Sequence, residues 1–437
     1  LRSRLRKKPD DWFAPRNYPH FDRPVSDRSV AEGIVASFTK SPEQYRFLPL
    51  ISFKRWARRW RTDEKSGRTR ESWKKRPLAY CSNRDAHVLA YVGWELSAAY
   101  EEALKRAGLD NVVVGYRLGR SNVTTARDAF ADVQRLGTCT TIALDLKHFF
   151  DTIRHRVLKR CWEDVLGSGL PPHHYAAFRA ITRFALVDRG ACLKRLGLPP
   201  RTQSRKLPRP LCSPDAFRAA VRGRKTASGG GGLVEVNQNA FGIPQGTPMS
   251  AIAANVAMFR FDCAVAAEAA RVGGTYRRYS DDILLVCPPA AANSLLDFLR
   301  DALIRHCEGL TLNDDKTSRV EFPGGRLPAN VKHMQYLGFL FNGERAVLRA
   351  STISRFYGRM RRAVKSAQHD LTNDKFQGSP KGGRPVLQRR KLMHSFSHLG
   401  RDSLLRTYAK VAGKVFQRRA IMRQLRRHLE RLNSLTR

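Results

Sequence analysis

The sequence predicts an α+β fold of more than one domain, on three observations. Short apolar runs bounded by turn residues, such as Thr140–Leu144 and Ile283–Val286, read as buried strands. Longer stretches, such as the one from Arg84 to Gly108, repeat apolar residues at i, i+3 and i+4 and stop at glycine, so they read as helices. The segment YRRYSDDILLVC places a tight acidic turn between two strand-like runs, which is the pattern of an antiparallel hairpin. A chain of 437 residues with 42% hydrophobic content is long enough for two or three domains with real cores.

Taken in order, residues 1–45 are basic and proline-rich and read as an extended arm, with a short helix at RSVAEGIVAS. The stretch KSPEQYRFLPLISFKRWARRWR reads as a strongly basic helix, TDEKSGRTRES as a polar loop, and RPLAYCS as a strand. After the helix ending at Gly108, NVVVGYRLG reads as a strand and turn and NVTTARDAFADVQRLG as a second helix. TCTTIALDLKHFFDTI is an apolar strand that turns acidic at its end, and RHRVLKRCWEDVL is a third helix. Residues 187–238 break the pattern: they are basic and rich in Pro and Gly, and read as an insertion or mobile hairpin. GIPQGTPMS is a turn that opens one long helix, and YRRYSDDILLVC is the hairpin already noted. NSLLDFLRDALIRHCEG is a helix, LTLNDDKTSRVEF a strand pair, and HMQYLGFLFNGERAVL another hairpin. FQGSPKGGRP is a linker, and the chain from Leu387 is helical and very basic. There is no internal repeat.

Lys and Arg total 80 against 38 Asp and Glu, a formal net charge of +42 spread along the whole chain. Basic residues alternate with aromatics in FKRWARRWR and RESWKKRPLAY. Nucleic acid is the expected partner, because dense phosphate charge and counterion release drive such binding. The eight cysteines are scattered with no C-x2-C pair, which speaks against a zinc ribbon and for thiols in a reducing cytoplasm. His173 and His174 in PHHY read as a surface loop, not a ligand pair. No apolar run of about 18 residues and no signal-type h-region is found, so no membrane partner is expected.

Asp281 and Asp282 stand side by side between a basic run and an apolar strand. Adjacent carboxylates repel, and either Arg277 and Arg278 or a divalent cation would relieve them. A second acidic point, Asp145, closes another apolar strand and is followed by Phe149 and Phe150. If two strand ends in one sheet bring these aspartates together, three carboxylates can hold two Mg2+, a hard cation that takes oxygen ligands. Two such ions about 3.5–4 Å apart clamp an in-line phosphoryl transfer.

YSDD at 279–282 resembles the Y-x-D-D box of reverse transcriptases. LDLKHFFDTI resembles their first catalytic motif, and GIPQGTPMS their G-x-P-Q-G motif. LTLNDDKT and QYLGF resemble the lysine motif and the L-G hairpin that follow. RPLAYCSNRD resembles the basic fingers motif, and YRLGRS the next block of bacterial members. These matches come in the family's order between about residues 75 and 340, which makes the set far more specific than any one motif.

The resemblance implies a right hand: a basic arm at 1–45, fingers at 46–141, a palm with a mainly antiparallel sheet at 142–345 carrying the 187–238 insertion, and an α-helical basic thumb at 346–437. It implies that Asp145, Asp281 and Asp282 ligate Mg2+, or Mn2+ in its place, with the Leu146 carbonyl as a further oxygen. It makes Phe150 the gate against ribonucleotides and places Gln245 and Gly246 against nucleotide and template. Arg76 and Lys75 would hold the triphosphate, and Lys316 would give pyrophosphate a proton. The implied partners are an RNA template, deoxynucleoside triphosphates and the complementary DNA product, with a companion protein or a second copy of the chain left open. No RNase H or homing-endonuclease pattern follows the core. NYPHFDRPVS and the basic stretch Arg390–Arg419 resemble the flanks of defence-associated bacterial reverse transcriptases of the unknown-group and abortive-infection lineage, which implies a dedicated noncoding RNA and a cytoplasmic antiphage role. Retron or group II intron enzymes, and a non-catalytic RNA-binding scaffold on a polymerase fold, are the alternatives.

Overall fold

The computed structural model describes residues 11–62, 69–199, 206–223, 231–328, 331, 333–372, 389–397, 409–416, 420–425 and 427–436. In chain order its strands are β1 Leu50–Thr62, β2 Thr69–Tyr80, β3 Cys139–Asp145, β4 Ala185–Asp188, β5 Glu235–Val236, β6 Thr275–Tyr279, β7 Asp282–Cys287, β8 Ser318–Phe322, β9 Met334–Tyr336, β10 Phe339–Phe341 and β11 Ala346–Leu348. The chain mixes helix and sheet as expected, and it divides into two compact units.

The first unit comprises Leu1–Leu118, Leu146–Val265 and Leu299–Thr311. Its sheet has the order β2-β1-β4-β5. The basic stretch expected as a helix is instead β1, paired antiparallel with β2 from Ile51↔Tyr80 to Thr62↔Thr69. Arg and Lys are good helix formers, but the interleaved Ile, Phe and Trp suit a strand, and a full cross-strand ladder outweighs local propensity. NVVVGYRLG forms turns, not a strand. There Arg117 donates to Glu101 Oε1 at 2.8 Å, to Asp110 Oδ1 at 2.7 Å and to the Val113 carbonyl at 2.6 Å, so a side chain does what a neighbouring strand would have done.

The arm docks on the helix Asn83–Arg106: the Asp22 carboxylate accepts the Asn83 and Arg84 amides at 3.1 and 2.8 Å, a carboxylate at a helix start. Residues 1–10 and the tip of the β1–β2 ribbon lie outside the described residues. The segment 187–238 is more than a hairpin. It carries the helix Arg189–Arg195, capped by Asp188, and the π-helical turn Phe217–Arg222. Leu193, Leu207, Leu211 and Val221 from this segment form a buried cluster with Phe21 and Ile51. Its apolar residues, sparse in sequence, converge into this cluster; Gly229 and Gly230 of the glycine run lie outside the described residues.

The helix expected after GIPQGTPMS is two helices, Ser250–Val256 and Phe259–Arg271, bent by 50°. At the break the thiols of Cys161 and Cys307 both donate to the Ala257 carbonyl. No single helix among the described residues is long and apolar enough to cross a membrane; this bent pair passes only when its two parts are taken together.

The second unit comprises Gly119–Asp145, Ala266–Phe298 and Leu312–Arg437. Its main sheet, β6-β7-β3-β8, is antiparallel throughout. The helix Asn122–Leu136 opens on a capping box at Ser121 and Thr124. It lays Val123, Phe130 and Val133 into a core with Leu284, Val286 and Phe322, and Phe130 stacks on Phe341 with ring centroids 4.3 Å apart. The expected hairpin at 333–348 has a third strand, β11-β10-β9, and the expected strand pair at 310–322 is one strand, β8, because the Asn-Asp-Asp run forms a 3-10 turn at Asp314–Lys316. Further on, Phe356, Tyr357, Met360 and Leu432 form a small helical core. FQGSPKGGRP lies outside the described residues.

Candidate active site

The three aspartates all belong to the second unit. β3 and β7 pair so that Asp145 stands directly opposite Asp282. β6 and β7 pair so that Tyr279 stands opposite the same residue, leaving Ser280 and Asp281 as a two-residue turn. Side chains directly opposite on an antiparallel pair share a face. The hairpin thus delivers Asp282 to the acidic end of β3 and holds Asp281 at the adjoining tip. Ile283–Cys287 are buried on both faces of β7, which anchors the strand in the core and leaves Asp282 at its exposed end.

The site is crowded with like charge. The Asp282 carboxyl is pushed up to about 7 by the protein packed around it, by Asp281 and by Asp145, while Lys316 and Arg349 pull it down. Asp282 keeps exposed surface, and water screens the first of these causes, so the neighbouring aspartates fix the direction. Arg277, a candidate partner for the pair, donates from Nε to Asp132 at 2.7 Å, and Arg278 donates to the Ser280 carbonyl at 3.2 Å. Lys316 donates to Asp145 Oδ2 from the 3-10 turn.

Asn313 was not foreseen, and it grips Asp145 twice: its amide donates to the Asp145 carbonyl at 2.7 Å and its Nδ2 to Oδ2 at 3.2 Å. Its signal in the sequence was its place within the lysine motif LTLNDDKT. Four buried hydroxyls among the described residues of this unit, Thr125 Oγ1, Thr140 Oγ1, Ser280 Oγ and Tyr336 Oη, have no hydrogen-bond partner. Ser280 also has a φ of 61°, a strained value for a residue with a side chain.

An all-oxygen, electron-rich donor set of this kind suits a hard divalent cation. Among the described residues, the group of three metal-type side chains whose donor atoms all lie within 4.8 Å is Glu95, His173 and His174, not the three aspartates. The histidines stand in the helix Pro172–Thr182, not in a loop, and His174 is buried. Trp162 Nε1 donates to His174 Nδ1 at 3.1 Å, so the neutral ring carries its proton on Nε2 and turns it toward Glu95, 3.4 Å away. That tautomer presents a donor where a metal needs a lone pair.

The remaining sequence-predicted residues belong to the first unit. Phe149 is buried, whereas Phe150 keeps exposed surface. The Phe150 carbonyl accepts the Ile243 amide at 2.9 Å, and Gln245 Nε2 donates to Asp151 at 3.4 Å, so the 242–246 turn is tied to the segment after Leu146. The Gln245 carbonyl accepts the Ala79 amide at 2.8 Å, which ties the same turn to the end of β2. Arg76 and Lys75 stand on that strand, with Lys75 Nζ 4.6 Å from the Trp56 ring centroid. Leu146 follows Asp145 in the chain and has a buried side chain.

No protein-family model and no curated protein matches the sequence. Among solved structures, the chain is similar to apo telomerase from Candida tropicalis truncated from its C-terminal domain, at 10% identity and a TM-score of 0.44, over 75% of this chain and 61% of that one. Apo telomerase from Candida tropicalis follows at 13% and 0.42, over 82% and 61%. Telomerase from Candida albicans in complex with a TWJ fragment of telomeric RNA gives 13% and 0.42, over 89% and 59%. The chain thus spans about three fifths of the length of these structures.

Proposed function

We propose that the chain is an RNA-directed DNA polymerase whose Asp145, Asp281 and Asp282, with the Leu146 carbonyl, hold two Mg2+ ions. The supporting observation is the β3–β7 register, which sets Asp145 opposite Asp282 with Asp281 in the adjoining turn. Bound there, the ions would activate a 3′-hydroxyl and offset the charge of the triphosphate. Asn313 orients Asp145. Lys316, whose amine now lies on Asp145, would turn from that carboxylate to protonate the pyrophosphate. Phe150 would exclude the ribose 2′-hydroxyl, Arg76 and Lys75 would neutralise the triphosphate, and the Gln245–Gly246 turn would lie against nucleotide and template; these roles rest on the motif resemblance. The exposed Trp56 and Trp73 on a basic ribbon suit contact with nucleic acid.

The template we propose is a dedicated noncoding RNA, and the biological role antiphage defence in a bacterial cytoplasm. Both rest on the resemblance of the flanking segments. A second reading, a non-catalytic RNA-binding scaffold, is favoured by the contact of Lys316 with Asp145. Incubating the purified chain with labelled deoxynucleotides and Mg2+, beside Asp281→Ala/Asp282→Ala, separates the two: the polymerase makes labelled DNA that the double variant does not.

A further inference from the structure

We propose that a basic cleft in the first unit binds a single strand of nucleic acid, with phosphates on its arginines and a base stacked on Tyr175. The cleft encloses about 910 Å3. One wall is a stripe on the helix Pro172–Thr182, where Tyr175, Phe178, Arg179 and Thr182 recur at i, i+3, i+4 and i+7, with Arg183 one position on. Such spacing puts them on one face. The facing wall is the start of the helix His155–Leu166, with Arg154, Arg156 and Lys159.

The charge of this cleft is poorly balanced. Glu308 is the one carboxylate among the described residues that line it, and Arg156 already binds it. Lys159 reaches Glu163 at 3.4 Å. Arg179 and Arg183 are exposed and pair with no carboxylate among the described residues. Holding uncompensated cations in a concave surface concentrates positive potential there and attracts a polyanion.

The aromatic component selects among polyanions. Tyr175 is 44% exposed and its ring lies nearly parallel to that of the buried Phe178, with centroids 6.3 Å and planes 19° apart. An exposed ring steadied at its side by a buried one offers a surface to a flat partner. On the facing wall, Arg154 spreads its guanidinium over Phe241, 5.2 Å from the ring centroid. An acidic peptide offers charge but no base to stack, and the bases of a duplex are already stacked on one another. A single strand offers both phosphates and free base faces. None of the residues proposed for nucleotidyl transfer lines the cleft, so this binding does not depend on the polymerase reading.

The test uses the full chain and a short fluorescent oligouridine, with affinity followed against salt. Arg179→Ala/Arg183→Ala should lower the slope of log K against log salt by about 1.4, since each phosphate neutralised on a single strand adds roughly 0.7. Arg23→Ala/Arg106→Ala, an equal removal of exposed charge elsewhere in the unit, should leave the slope in place. Tyr175→Ala should weaken binding by about five- to a hundredfold, and Tyr175→Trp should retain it. A 4-thiouridine strand should crosslink to the peptide that carries Tyr175. Single-stranded DNA should compete, whereas duplex RNA and oligoglutamate should not. Equal slopes for the two double variants, no effect of Tyr175→Ala, or absence of that crosslink would overturn the proposal, as would equal competition by duplex or by oligoglutamate.

Discussion

Gly246→Ala isolates the backbone demand of the turn that follows Gln245. Gly246 has a φ of 122°, and a Cβ built there would lie 2.5 Å from the Ala79 carbonyl oxygen. The obstacle is backbone, and it is held in place: Ala79 pairs with Ser52 in the β1–β2 ladder and donates its amide to the Gln245 carbonyl. Forcing a side chain into this conformation costs about 1–3 kcal/mol. Moving the turn to relieve the overlap weakens the Ala79–Gln245 hydrogen bond, for about 1 kcal/mol more. The sum is about 2–4 kcal/mol, a large part of the 5–15 kcal/mol typical of a folded domain. At about 2–4 °C per kcal/mol, Tm should fall by roughly 4–16 °C. Gly33→Ala is the matched control, since it lies within the helix Arg28–Lys40 with nothing within 4 Å, and it should stabilise by about 0.5–1 kcal/mol. Urea unfolding followed by circular dichroism reads both. A Gly246→Ala chain within about 0.5 kcal/mol of the parent, the scatter of neutral surface changes, would refute the reasoning.

The hydroxyl of Ser280 is buried without a partner on a strained backbone, so Ser280→Gly should raise the unfolding free energy by about 1 kcal/mol in the same assay. His20 is buried, its Nδ1 accepts the Phe21 amide at 2.9 Å, and burial lowers its pKa to about 4 against the pull of Asp22. Its folded value lies below the ordinary 6.5, so stability that is full at neutral pH is lost as pH falls from 6.5 towards 4, by about 3 kcal/mol; His20→Gln should remove that contribution from the pH profile of unfolding. Asp85 works in the opposite sense. Burial raises it to about 6, so its contribution is full near pH 4 and fades as pH rises to 6, which makes the difference between parent and variant the quantity to compare. Phe150→Ala should raise ribonucleotide incorporation relative to deoxynucleotide in primer extension, and an unchanged sugar preference would remove Phe150 from the gate role.

What was legible in the sequence followed from strong local patterns. The apolar run after Asp282, the apolar run before Asp145 and the capped helix Asn122–Leu136 each fall where periodicity and turn residues put them. The register that sets Asp145 against Asp282 was foreseen only as two strand ends meeting, because pairing depends on partners distant in sequence. The basic ribbon was misread because Arg and Lys favour helices when no partner strand is considered, and the partner, β2, lies beyond a polar loop. Asn313 gave little local signal, since an Asn before two Asp looks like an ordinary turn, and its grip on Asp145 exists only once β3 and the 3-10 turn are adjacent. The core built by Leu193, Leu207, Leu211 and Val221 was hidden by the prolines and arginines between them, which suggested a segment without a core.

The most direct test of the central claim is Mg2+-dependent incorporation of labelled deoxynucleotides, with and without an added RNA template and DNA primer, by the parent chain and by Asp281→Ala/Asp282→Ala. The account predicts labelled DNA from the parent, abolished by RNase treatment of the template beforehand, lost on chelation of the metal, and absent from the double variant although it still binds RNA. DNA synthesis that survives in the double variant, or a parent that binds RNA tightly and makes no DNA even on the added primer and template, would contradict it.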